Sequence, residues 1–472
     1  MTDTLDPIAP VAPPAHAPRV VPVVTPRGMT RLPLLLVLGY VVATFALFLL
    51  WPINWPIYNA ADWARLIGYV GLCFAAVIVA ALTGSAGATR VTAPLPFTTV
   101  LLVTGALISA LLLTPSCQAY TGRAPWEVLD ALRDQGGAYR RLQVQLLATT
   151  GERNTIVALR ALAAPLTYAV VPLGIIRWRT IGWLGRAAVG VVAATNVVFS
   201  IMRGTDKEIA DLFIVGASAA CVAFGRSRAL GQQGFALVRR YWKWGLLAAV
   251  FVFMAQGLFT ERKDERLGGD SISRSAVCAN SSRICADLDN PWIAWLPLRQ
   301  RFGVTFFILS TCSGYYGLEL ALEKPFDSAL GVGHSPAALS VYEAATGDVS
   351  LHLRTFTYRN GGDRWPEDYY WSTLMTWIAN DVGFPATVPV LGLLAFLWGL
   401  WWREAAAGMS DPAAVLFAVA TTMMVYLPAN NQVLASYDGY AILAAWLVVW
   451  LWWRANRRLS AALPRDWMRA SP

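Results

Sequence analysis

The densest group of ionisable residues beside apolar sequence is IMRGTDKEIAD (201–211). It sets Arg203, Asp206, Lys207, Glu208 and Asp211 at the junction of two apolar runs. Ionisable side chains at membrane depth are costly and mark function more often than chance would. A helix starting at 206 places Lys207 and Asp211 four apart, where they can pair. The plainer alternative is an interfacial turn whose charges reach back to water.

Two further stretches could do chemistry. GYYGLELALEKPFDSALGVGHSP (314–336) puts Tyr315 and Tyr316 beside a glycine and ends a Gly-rich run at His334-Ser335. RTFTYRNGGDRWPEDYYW (354–371) sets Arg354, Arg359, Arg364, Glu367 and Asp368 among Trp365, Tyr369, Tyr370 and Trp371. Guanidinium forks bind phosphate oxygens bidentately. Flat aromatic faces suit sugar rings, and carboxylates hold hydroxyls. Arg354 and Arg364 are therefore candidates for a diphosphate, and Tyr315, Tyr316, Trp365 and Tyr369 for a glycan. The near-neutral pKa of imidazole suits His334 to proton transfer. Each feature also has a structural explanation: a histidine in a Gly-rich loop is more often structural, and most of the 21 tryptophans serve as interface belts. Gly331 and Gly333 lack the strand-turn-helix spacing of a nucleotide fingerprint.

The elements that carry these residues follow from composition. The 472 residues are 56% hydrophobic and only 14% charged, against about a quarter charged in soluble domains, and the mean hydropathy is +0.48. The apolar runs are continuous, not alternating, so an all-α bundle is expected and not a β-barrel. Candidate spans are 33–51, 65–82, 97–114, 158–176, 182–201, 208–225, 244–260, 384–401, 411–427 and 438–453, ten in all. The net charge of +9 falls mostly in short loops, where it signals orientation rather than nucleic-acid binding. With both termini in the cytoplasm, the inner loops hold Arg90, Arg177, Arg179, Arg226, Arg228, Arg403 and Arg454, while 52–64 and 428–437 contain no Lys or Arg. The chain thus divides into a disordered tail (1–30), seven spans (31–260), one large extracytoplasmic loop (261–383), three spans (384–455) and a cytoplasmic tail (456–472). Within the loop, 302–322 is apolar but interrupted by Ser310, Ser313, Gly314 and Glu319, and reads as an interfacial or re-entrant helix. Cys278 and Cys285 lie in a polar stretch of that loop, where an oxidising compartment would let them form a disulfide. The three histidines are too scattered for a metal site, and no cofactor motif is present.

Over roughly 30–455 this pattern resembles the Wzy-type family of O-antigen and oligosaccharide repeat-unit polymerases, which share architecture with O-antigen ligases. The residues that carry the likeness are RGTDKEIADLFIV (203–215), similar to the family's short arginine-bearing outward turn, and GYYGLELALEKPF followed by GVGHS. The turn reads Met-Arg-Gly where the fuller form is Gly-Ser-Arg-Gly. The resemblance implies a metal-independent, inverting glycosyl transfer at the periplasmic face of a bacterial inner membrane. Its donor is a glycan on polyprenyl diphosphate, its acceptor is another lipid-linked repeat unit, and a chain-length regulator is a candidate partner. Arg203, with Lys207 or the loop arginines, would face the departing diphosphate. His334, Glu367 or Asp368 would take the hydroxyl proton. A ligase, or a glycosyltransferase of the GT-C type using a polyprenyl-monophosphate sugar, is the alternative enzyme. An acidic motif in the first outward loop would favour the latter, and that loop holds only Asp62. A transporter or flippase is the alternative from another class; it predicts repeat symmetry, which the unequal halves lack.

Overall fold

A computed structural model of the chain describes residues 23–24, 31–92, 94–147, 151–229, 260, 264, 276–279 and 284–456. It is 75% helix with almost no strand. Among the described residues, seven helices are long and apolar enough to cross a membrane, which makes this a multi-pass membrane protein. They are α1 (Leu32–Leu50), α2 (Ala60–Gly84), α3 (Thr98–Thr121), α6 (Gly151–Ile176), α7 (Trp183–Arg203), α8 (Lys207–Ala229) and α14 (Leu374–Ala406). Shorter helices α4 (Val128–Arg133) and α5 (Gln135–Leu147) follow α3, and α11 (Pro336–Thr346), α12 (Ser350–Arg354) and α13 (Phe356–Arg359) precede α14. Their outward faces keep large apolar residues exposed, such as Leu111 at 75% and Leu162 at 78%. Such faces are at home only in lipid.

The expected span 411–427 becomes α15 (Asp411–Tyr426), a shorter helix in which every residue from Asp411 to Met424 is buried. Burial on every face is that of a central helix with neighbours all round. The last helix, α16 (Tyr437–Ala455), follows it. The expected span 244–260 lies outside the described residues except Thr260. So does the tail 1–30, save Val23–Val24, which pair antiparallel with Thr89–Arg90.

Two end layers hold the bundle. At one end, Asp411 is fully buried and shared by two arginines, one just after α6 and one in the last turn of α8. Arg177 pairs with its Oδ2, and Arg226 Nη1 lies 3.1 Å from its Oδ1. Leu95 N–H donates to Oδ2 at 2.9 Å, Arg177 Nη1 donates to Thr98 Oγ1 at 2.8 Å, and Arg226 Nε donates to Ala405 O at 2.9 Å. Asp411 also opens α15, where the helix dipole favours a negative charge. Below this layer α2 and α14 run parallel in close contact. A Cβ on Gly84 would fall 2.1 Å from Phe396 O, and one on Gly399 would fall 2.1 Å from Ala81 O. Small residues let membrane helices approach this closely.

At the other end, the first connection and the large loop meet in a small antiparallel sheet. Ile53–Asn54 pairs with Ile284–Asp287, which pairs in turn with Ala276–Ala279. Cys278 and Cys285 face each other across the outer pair and are joined by a disulfide.

The stretch 302–322 forms two helices, α9 (Leu298–Cys312) and α10 (Gly314–Leu322), separated at Ser313. They descend beside α1 and return. Trp51 Nε1 donates to Thr305 Oγ1 (3.1 Å), Cys312 Sγ donates to Thr44 O (3.2 Å), and the Tyr315 hydroxyl reaches Thr44 Oγ1 (3.1 Å) and Val41 O (3.4 Å). Val41 lies about 15 Å down the helix from Trp51, at about 1.5 Å per residue. Glu319 and Glu323 then meet Arg65 near the start of α2, at 3.4 and 3.0 Å. The pair thus runs in along α1 and turns back, with its backbone covered by protein.

Removing one partner of a buried ion pair strands the other charge. Asp411→Asn is therefore expected to cost about 3–5 kcal/mol, read as a lower thermal midpoint in detergent. Asp289→Asn, which breaks only the exposed 3.4 Å pair with Arg301, should cost about 0–1 kcal/mol. Thiol labelling of Cys278 and Cys285 should require reductant; equal labelling with and without it would exclude the disulfide.

Candidate functional site

Helix α7 ends at Arg203 because Gly204 adopts the left-handed region (φ 61°). A Cβ there would strike Gln135 O and Tyr139 N, each at 2.8 Å, so only glycine turns the chain here. The turn leaves Arg203 at the head of α7 and Lys207, Glu208 and Asp211 in the first turns of α8. Arg203 pairs with Glu208, whose other oxygen accepts from Thr205 Oγ1 at 3.0 Å. The expected Lys207–Asp211 ion pair does not form among the described residues; Arg203 and Glu208 pair across the glycine turn instead.

A second arginine joins this cluster. Arg160, near the start of α6, lies 3.3 Å from Asp438 at the start of α16. Its guanidinium sits over Phe199 (4.4 Å) and Tyr120 (5.8 Å), and that of Arg203 sits over the same two rings at 5.2 and 5.3 Å. Tyr120 and Phe199 pack edge to face, 5.6 Å apart. A desolvated cation–π contact is worth about 2 kcal/mol, so the aromatic pair holds both cations in place without neutralising them. Sequence reasoning left Arg160 unremarked; a lone arginine at the edge of an apolar run was its signal.

Beneath these cations lies a cavity of about 240 Å³ between α3, α6, α7, α8, α15 and α16. Arg160, Lys207, Glu208, Asp211 and Asp438 line its polar part, and Leu112, Val171, Val192, Val215, Val419 and Ile442 its apolar part. Three hydrogen-bonding atoms that face it, Ser116 Oγ, Tyr168 OH and Asp211 Oδ1, are buried without a protein partner. Such a site suits an amphipathic ligand with an anionic head.

His334 is organised separately. The loop from Ala329 to Ser335 wraps around Asp381, which accepts backbone N–H bonds from Gly331 (2.9 Å), Gly333 (2.8 Å) and His334 (2.8 Å). The glycine pattern therefore makes an anion nest, occupied by the protein's own carboxylate. Gly331 needs its residue type at φ 90°. Asp381 also holds His334 Nδ1 at 2.9 Å, which leaves Nε2 facing the Tyr440 hydroxyl. Asn431 Nδ2 donates to His334 O. The kink at Gly383 inside α14 (φ 73°, ψ 164°) sets Asp381 on the loop side of that helix. His334 does not line the cavity. The two are joined through one segment: Asn431 and Tyr440 face His334, while Gln432, Ser436 and Asp438 face the cavity.

The remaining expected residues are dispersed. Glu367 is bonded to His352 Nε2, and Glu343 holds His352 Nδ1 at 2.9 Å. Asp368 is exposed. Arg354 stands 3.9 Å from Asp327, and Arg364 is exposed at φ 62°, both away from the cavity lining. Tyr315 is wholly buried against Phe45 and Phe48. Tyr316 and Trp365 are buried and meet edge to face at 5.2 Å, with Trp365 stacked on Tyr370 at 4.3 Å. Among the four aromatic residues expected to meet a glycan, only Tyr369 keeps an open face, at 78% exposed. Asp62, Glu319 and Glu323 bring carboxylate oxygens within 4.8 Å of one another, but Arg65 bonds all three. No family model matches the chain, and no curated protein or solved structure is significantly similar to it.

The Glu343–His352–Glu367 clamp has a pH signature. The hydrogen bond to Glu367, opposed by burial and aided by both carboxylate charges, holds the His352 pKa above its ordinary value. A neutral imidazole has one N–H and can satisfy only one of two carboxylates. The stabilisation is therefore full below the ordinary imidazole pKa and lost as pH rises through the raised value. Amide-exchange protection of 336–354 should fall as pH rises above the ordinary imidazole range in the native chain and stay flat in His352→Gln.

Proposed function

We propose that the chain is an integral membrane glycosyltransferase that polymerises oligosaccharide repeat units carried on polyprenyl diphosphate. The end layer of Asp411, which gathers Arg177, Arg226, Arg403 and Arg454, faces the cytoplasm by the positive-inside rule. The disulfide-bearing sheet, Arg203 and His334 then face the periplasm of a bacterial inner membrane. The observation that carries the reading is the pair of arginines on one aromatic shelf beside a cavity that is charged in one part and apolar in the other. That shape matches a diphosphate head with an isoprenoid chain running between helices.

The reaction forms one bond and breaks one. The acceptor hydroxyl oxygen attacks the anomeric carbon from the face opposite the diphosphate. The carbon–oxygen bond to the diphosphate breaks, and its electron pair leaves with the phosphate oxygen, inverting the centre. Arg203, Arg160 and Lys207 offset the charge that develops there. The hydroxyl proton passes through Tyr440 to His334 Nε2. Asp381 holds the proton on Nδ1, so that Nε2 presents its lone pair.

A ligase would use the same groups with another acceptor, and the dispersed aromatic residues of the large loop do not choose between them. A transporter is favoured by one observation, the carboxylates and cations at membrane depth inside the bundle.

The test is the surface-glycan profile of the native organism after deletion of the gene. Loss of long polymer with accumulation of single lipid-linked repeat units identifies a polymerase, and loss of a finished glycan from its final acceptor identifies a ligase. An unchanged polymer overturns the glycan reading. In complementation, Arg203→Ala should lower the rate about 10²–10³-fold and His334→Ala about 10²–10⁴-fold at normal protein levels.

A further inference from the structure

We infer that Asp211 takes up a proton from solvent when a diphosphate enters the cavity, and gives it back when the diphosphate leaves. The inference rests on the diphosphate reading above and concerns the charge balance of that same site. Three cations, Arg160, Arg203 and Lys207, stand among three carboxylates, Glu208, Asp211 and Asp438. The empty site is therefore neutral. Glu208 is committed to Arg203, and Asp438 to Arg160. Asp211 has no guanidinium, and its Oδ1 is buried without a hydrogen-bond partner.

The groups facing Asp211 come from several elements. Lys207 and Glu208 lie on its own helix, Tyr426 on α15, Gln432 on the following segment, and Tyr168 on α6. Arg160 and Asp438 share the cavity with it, and Arg203 on α7 is linked to it through Glu208. Helix α14 meets α8 where Gly225 lies against Trp402 and Ala406. None of these neighbours adds a cation beyond the three already counted.

A diphosphate diester brings two fixed negative charges. Placed in a cavity between helices whose charges already cancel, they need compensation. Protonating Glu208 or Asp438 would break an ion pair, whereas protonating Asp211 breaks none. The new O–H can donate to a phosphate oxygen or to the unpartnered Tyr168 hydroxyl, and no covalent bond to the ligand is made or broken. Because the proton is bound in the complex and absent from the free site, affinity should fall roughly tenfold per pH unit over the range in which the free carboxylate is ionised and the bound one protonated.

The probe is farnesyl-diphospho-N-acetylglucosamine, a diester whose phosphate charges do not titrate near neutrality. It is titrated into the purified full chain in nanodiscs by calorimetry, in two buffers of different ionisation enthalpy, so that the enthalpy difference counts protons. The native chain should take up roughly one proton per ligand. Asp211→Asn should take up none and bind with an affinity that no longer depends on pH. Binding without proton uptake by the native chain overturns the inference and leaves the diphosphate reading standing, as does uptake retained by Asp211→Asn. No binding by the native chain overturns the diphosphate reading, and the inference with it. Should Asp211→Asn fail to fold, infrared difference spectra of the native chain decide. A protonated-carboxyl band that appears with ligand and shifts on aspartate isotope labelling is expected, and its absence overturns the inference.

Discussion

The structure depends first on one fully buried carboxylate. Asp411 receives Arg177 from the α6–α7 connection, Arg226 from the end of α8 and the Leu95 amide from before α3, and it opens the central helix α15. A bilayer supplies no water to satisfy these groups, so each arginine must find its partner within the protein. One aspartate between two guanidiniums leaves a net positive charge at this end, which matches the sign such ends carry in the cytoplasm. Because three separate parts of the chain converge on this one side chain at the start of α15, the helices they belong to are fixed in relative position there. The opposite end is then free to be irregular.

That irregularity is where the candidate chemistry sits. The Gly204 turn, the pair α9–α10 and the Gly383 kink all lie on the side away from Asp411. Each breaks a helix and so exposes backbone groups that a neighbour must satisfy. The kink places Asp381 where the Ala329–Ser335 loop can close on it, and the Gly204 turn places Arg203 over Phe199 and Tyr120. The segment 431–440 is the hinge of the arrangement, with His334 bonded to one set of its residues and the charged cavity lined by another. An acceptor handled at His334 and an anion held at the arginines would therefore feel the same few residues.

The cavity also shows how charge is managed at membrane depth. Two arginines are each matched by a carboxylate and supported by the aromatic pair, so they remain charged without a ligand. Lys207 and Asp211 are left to adjust. This differs from the large loop, where ion pairs such as Lys324–Asp363 and Arg354–Asp327 are partly exposed and contribute little.

The membrane class, the approximate ends of most helices and the loop carrying the disulfide were legible in the residues themselves. Long apolar runs must become helices in lipid, and Arg177, Arg226 and Arg403 mark alternate connections by their charge alone. The interruptions at Ser313 and Gly314 likewise announced that 302–322 would not be one simple span. What the sequence could not determine was which side chains meet. Arg160 and Arg203 are 43 positions apart and share two rings only because α6 and α7 pack beside α3. Asp381 and Tyr440 bracket His334 from helices whose spacing in the chain says nothing of their contact. Tyr315, Tyr316 and Trp365 read as sugar-stacking faces from their types, but packing turned them inward. Periodicity and charge act within one element or at its ends, and so they are written along the chain. A site assembled from α6, α7, α8, α14 and α16 exists only once tertiary packing has chosen the neighbours.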